Sequence, residues 1–121
     1  MPMNWQETHD GRVIEIAVSG KLTRDDYVRF ADAMDELMQS HDRMRMLIVM
    51  SDLEGWTGGV LWEDLKFGLK HYRDMERVAI VGEERWQKVM AFLYKPFTAA
   101  EVRYFTPAQM DAARQWLAEE H

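Results

Sequence analysis

RMRMLIVMS, residues 43–51, is the stretch on which the fold turns. After its basic start it is a nearly continuous apolar run, the pattern of a strand covered on both faces. Such strands occur in parallel sheets, so the flanking segments should alternate helix and strand. Upstream, RVIEIAVS (12–19) alternates Val13, Ile16 and Val18 around Glu15 and Ala17 and reads as a strand. MNWQET (3–8) reads as an edge strand, turned into it by His9-Asp10-Gly11. Gly20-Lys21-Leu22 reads as the strand exit. Thr23 reads as a helix N-cap, with Asp25 and Asp26 in the first turn. Tyr27, Ala31, Met34 and Met38 then form one stripe of an amphipathic helix over 24–40.

Downstream, DLEGWTGGVLWEDLKFG (52–68) hands a strand over to a helix expected over 58–71. RVAIVG (77–82) is a second buried strand, and a helix over 84–94 is closed by Pro96. EVRYF (101–105) is a short strand. Thr106-Pro107 starts a last helix, with Met110, Ala113 and Leu117 on one face. The order is (β)βαβαβαβα, a mixed, mostly parallel α/β sheet with helical layers, read as a single domain over 1–121.

Composition narrows the function. The chain has 121 residues, 47% hydrophobic and 30% charged, enough for a real core. Its net charge of −6 argues against nucleic acid, which demands a surplus of Lys and Arg. Without cysteine there is no disulfide framework, thiolate nucleophile or sulfur metal site, which suits the cytoplasm. MPMNWQETHDGR (1–12) has no apolar h-region, and no apolar run nears the roughly 18 residues of a membrane span. Ten methionines suit either an irregular core or an adaptable apolar site.

VSGKLTRDDY (18–27), SDLEGWTGGVLWEDLKFGLKHYRDMERVAIVGEERW (51–86) and KPFTAAEVRYF (95–105) resemble, in order and through nearly the whole chain, the SpoIIAA-like group of the STAS superfamily. The resemblance implies a four- or five-stranded sheet with four helices, a fold similar in outline to CRAL-TRIO lipid-binding domains. It also implies two roles: a hydrophobic-ligand or membrane-associated role, and that of the anti-sigma-factor antagonists, which carry a phosphorylatable Ser after Asp before the second helix. Here Trp56-Thr57-Gly58-Gly59 stands at that handover, so Thr57 is the one hydroxyl in place for a switch. The stronger reading of Thr57 is the plain one, a helix cap.

The candidate site gathers aromatic residues beyond the carboxyl ends of the strands, where open α/β sheets bind ligands. Those ends are read as Ser51-Asp52-Leu53, Gly82-Glu83 and Thr106. Over 58–71, Leu61, Leu65 and Leu69 share a face with Trp62 at its edge, while Val60 and Phe67 fall on the charged side. Over 84–94, Trp86, Val89, Met90 and Leu93 form one face, flanked by Phe92 and Tyr94, with Phe97 just beyond. Trp56, Trp62, Phe67, Trp86, Met90, Phe92, Tyr94 and Phe97 are therefore expected to wall a pocket, with Lys88 or Lys95 meeting a headgroup. Glycines 55, 58 and 59 would let the first segment hinge. The bland alternative is that both wide apolar faces are core.

Catalysis has little support. His9, His41, His71 and His121 lack metal-binding spacing, and no cofactor motif is present. Asp25-Asp26 and Glu83-Glu84 sit at helix starts, where the dipole explains them. The expectation is a non-enzymatic, metal-free module binding a small lipid-like molecule, with reversible membrane-surface contact and homodimer formation compatible. The rival is a regulatory protein-interaction module switched at Thr57.

Overall fold

The computed structural model describes residues 3–8, 12–40, 44–56, 75–83 and 101–119, with backbone alone at 21–22 and 52–56. Strands β1 (Met3–Thr8), β2 (Val13–Leu22), β3 (Met44–Trp56), β4 (Met75–Val81) and β5 (Glu101–Phe105) form one sheet in sequence order. β1 pairs antiparallel with β2, and every later pair is parallel. Helix α1 spans Arg24–Ser40. Helix α2 spans Met110–Ala118, after a 3-10 turn at Pro107–Gln109. The sheet is thus the five-stranded, mostly parallel one expected. Two of the four expected helices are among the described residues; those expected over 58–71 and 84–94 lie outside them.

Two strands run further than the sequence pattern suggests. Gly20-Lys21-Leu22 does not leave the sheet: β2 continues through it, pairing with Leu53, Gly55 and Trp56. Gly20 has φ +62°, a left-handed conformation that L side chains avoid, and the register shifts there. This bulge absorbs the irregularity and lets pairing resume. β3 likewise runs past Ser51-Asp52-Leu53 to Trp56. Gly55 therefore lies inside a paired strand opposite Lys21 and is not a hinge, because its backbone is held by the ladder.

Side chains alternate across the sheet, so each face has its own core. On the α1 face, Ile14, Ile16, Met46, Ile48, Val78 and Ile80 pack against Tyr27, Phe30, Met34 and Met38. Phe30 is an addition to the expected helix stripe. It meets Trp5 and Tyr27 edge-on at ring separations of 5.6 Å, a favoured aromatic geometry. Seven of the ten methionines (Met3, Met34, Met38, Met44, Met46, Met50 and Met75) are buried in this layer. Most of the methionine surplus is therefore core filler, whose unbranched thioethers suit irregular gaps.

The opposite face carries three rows set by the register. One runs Asn4, Ala17, Val49, Val81, Phe105; the next runs Gln6, Glu15, Leu47, Ala79, Arg103; the third runs Thr8, Val13, Arg45, Arg77, Glu101. In the first two rows the larger apolar residues, Val49, Leu47, Val81 and Phe105, lie on β3, β4 and β5, while β1 and β2 carry Asn4, Gln6, Glu15 and Ala17. α2 follows that division, burying Ala113, Trp116 and Leu117 against Val13, Leu47, Ala79 and Val81.

The start of α1 is built as the sequence suggests. The Asp26 N–H donates to the Thr23 hydroxyl (3.3 Å), while the Thr23 N–H and hydroxyl donate to Asp26 Oδ2 at 3.1 and 2.8 Å. The Thr23 hydroxyl first, then its N–H and Arg29, hold the Asp26 carboxyl below its usual 3.8. A depressed folded-state pKa means stabilisation present above the ordinary value and lost as pH falls through the folded one. Thr23→Ala is expected to cost about 1 kcal/mol at neutral pH. That cost should shrink in urea melts below about pH 4, as Asp26 protonates.

Candidate functional site: a groove between the antiparallel edge and the last helix

α2 is too short to cover the whole sheet face, and the arrangement of its carbonyl end determines where it lies. Arg45 and Arg77 stand abreast in the register of β3 and β4. Arg77 Nη1 donates to the Trp116 carbonyl at 2.6 Å, and Arg45 Nη1 donates to the carbonyls of Leu117 (2.7 Å) and Glu119. Two cations thus satisfy the last carbonyls of the helix and meet the negative end of its dipole. Their mutual repulsion is offset by carboxylates. Arg45 donates through Nε (3.0 Å) and Nη2 to Glu76 Oε1, and Arg77 lies 3.5 Å from Glu119. Glu76 reaches Arg45 because the register shifts from Met44–Met75 to Arg45–Arg77, leaving Glu76 as an extra residue on β4.

Trp116 completes the anchor. The guanidiniums of Arg77 (5.2 Å) and Arg103 (4.8 Å) both lie over its ring, with Phe105 tilted against it at 6.2 Å. Arg77 is 8% exposed, and its Nε has no hydrogen-bond partner. The indole face thus shelters a guanidinium whose hydrogen bonding is incomplete.

With α2 fixed over β3–β5, its leading end borders an open groove of about 370 Å³ over β1 and β2. The groove is lined by Asn4, Gln6, Glu15, Ala17 and Val49 of the sheet, by Met110 and Arg114 of the helix, and by Trp5 and Ile16, whose side chains belong to the α1 face. Ala17, Val49 and Met110 make the apolar surface, and the amides of Asn4 and Gln6 make the polar rim. Arg114 Nη2 donates to Glu15 Oε1 at 3.1 Å, tying helix to strand across the groove. The Arg114 side chain is 52% exposed and that of Glu15 is 18% exposed, so the cation lies outermost.

This set of side chains offers recognition chemistry: amides that donate and accept, one guanidinium, one carboxylate and an apolar floor. Among the described residues, no three His, Cys, Asp or Glu side chains converge as a metal site. No helix among them is long and apolar enough to cross a membrane.

The groove is not the site expected from sequence. Of that set, Trp56 ends β3 with its backbone paired to Leu22. The Trp56 side chain lies outside the described residues, as do Thr57, Trp62, Phe67, Trp86, Lys88, Met90, Phe92, Tyr94, Lys95 and Phe97. The groove residues went unmarked in the sequence, although Glu15 left a trace as the lone charge inside an apolar alternation. Asn4 and Gln6 are two apart and so share a face. Only cross-strand register shows that these residues meet Arg114.

Comparison with known proteins agrees with this architecture. The SpoIIAA-like family model matches residues 13–118. The chain belongs to the SpoIIAA-like family. A crystal structure of an uncharacterized protein of the DUF3478 family, with a SpoIIAA-like fold, from Shewanella loihica PV-4 is similar over 96% of this chain and 92% of that one, with 28% identity and a TM-score of 0.75. No curated protein matches the chain. The SpoIIAA-like fold is that of a binding or regulatory module in general terms.

The anchoring of α2 makes an ordered prediction. Trp116→Ala removes a buried aromatic and uncovers Arg77, and is expected to cost about 3–5 kcal/mol. Arg77→Met keeps apolar volume and leaves one carbonyl uncapped, so about 1–3 kcal/mol is expected. Urea denaturation of both variants checks the order.

Proposed function

We propose that this SpoIIAA-like chain is a non-catalytic binding module for a small amphipathic molecule. The groove between the antiparallel edge and α2 carries this reading. Its volume of about 370 Å³ lies near the lower end of ligand-pocket sizes. That favours a short-chain amphiphile over a whole phospholipid. Its chemistry is mixed in the manner such a ligand needs: apolar contact at Ala17, Val49 and Met110, polar partners at the rim. The lipid-like ligand class expected from sequence is kept here, and its seat moves from the aromatic segments to the sheet face. The rival reading, a partner-binding module switched at Thr57, requires an exposed Thr57 with a flat surface around it.

Ala17 is exposed on the groove floor, so a larger side chain there fills the groove at little cost to the fold. Titration with octanol, an uncharged amphiphile, is expected to shift the amide resonances of Ala17, Val49 and Met110 saturably. Ala17→Trp is expected to weaken that binding at least tenfold, with an unchanged melting curve. Absence of saturable shifts at these residues overturns the reading.

A further inference from the structure

The contact between Arg114 and Glu15 is a poor use of a guanidinium. Arg114 has five N–H donors in a planar fork suited to gripping both oxygens of a carboxylate. It makes one bond, from Nη2 to a single Glu15 oxygen, at 3.1 Å. Charge-assisted bonds of good geometry are shorter, about 2.7–2.9 Å. Glu15 is carried on a paired β2 position between Gln6 and Leu47, so its reach is set by the strand. Arg114, by contrast, projects half-exposed from α2 over an apolar floor.

We propose that the groove takes a monocarboxylate amphiphile, whose carboxylate displaces Glu15 from Arg114 while its chain lies on Ala17, Val49 and Met110. This rests on the reading of the groove as a ligand site. The exchange replaces one carboxylate by another on the same cation. It gains a two-oxygen contact, because a free ligand can turn to match the fork and a strand-borne Glu cannot. The displaced Glu15 has a neighbour to turn to, since Gln6 stands directly opposite it in the antiparallel pair and its amide can donate. One cation beside one carboxylate suits a singly charged head. A doubly charged phosphate would face Glu15 and a chain of net charge −6. The same net charge disfavours casual anion binding, so preference for an anionic ligand must come from a local contact.

Calorimetric titration of the intact chain with octanoate and octanol tests this. Octanoate is expected to bind about tenfold tighter than octanol, as a charged hydrogen-bonded contact implies. Arg114→Gln should bring octanoate down to the level of octanol. Glu15→Gln should tighten octanoate about two- to fivefold, by removing the internal competitor, and leave octanol unchanged. Glu7→Gln removes the same charge from the exposed β1 position Glu7 and should leave both unchanged. Equal binding of the two probes, weaker octanoate binding in Glu15→Gln, or an equal gain in Glu7→Gln overturns the exchange while leaving the groove as a ligand site. Failure of both probes to bind overturns the groove reading and the exchange with it.

Discussion

The carbonyl end of α2 is the constraint on which the second face of this molecule depends. A nine-residue helix lying on a sheet leaves carbonyls beside the core, and these must be answered. β3 and β4 answer with two arginines placed abreast, one of them almost wholly buried. Guanidiniums inside a fold are costly unless paired and hydrogen-bonded. Here the helix dipole, Glu76 from the β4 irregularity, Glu119 and the Trp116 ring together supply that compensation. The position of α2 along the rows follows, and with it the groove left over β1 and β2.

The two faces solve the same packing problem differently. Under α1 the core is soft, with methionines from three strands and one helix filling space between β-branched residues. Under α2 it is small and directional, built on Leu47, Ala79 and Val81 with one large indole. A face held by the Trp116 indole, Phe105 and a set of charged bonds has a sharply defined geometry. That is the better support for a recognition surface, because ligand-binding groups need partners that do not wander.

Much of the sheet was legible because its signals are local. EVRYF matches β5, MNWQET matches β1, and the cap and stripe of α1 were read correctly. β2 and β3 were cut short because glycine normally marks an exit, whereas Gly20 makes a bulge and Gly55 sits in the ladder. A stripe through Met110, Ala113 and Leu117 passes beside Trp116, which lies three residues after Ala113 and is buried with it. The burial of Arg77 was hidden for a different reason: a charge at a strand start reads as solvated unless its carbonyl partners, some forty residues on, are known. The groove belongs to that second kind. Its residues come from β1, β2, β3 and α2, and only the register brings them together.

β1 has a consequence for how permanent that groove is. It lies at an edge of the sheet, and β2 is its one strand neighbour in the sheet order. Edge elements open locally at a fraction of the global unfolding free energy. Asn4 and Gln6 leave with β1 when it opens, so the amide rim of the groove exists only in the docked state. A molecule seated between β1 and α2 would therefore act as a splint, holding the antiparallel edge closed by mass action. Occupancy would be written into the backbone as slower hydrogen exchange along Met3–Thr8, a signal transmitted by order rather than by any change of shape.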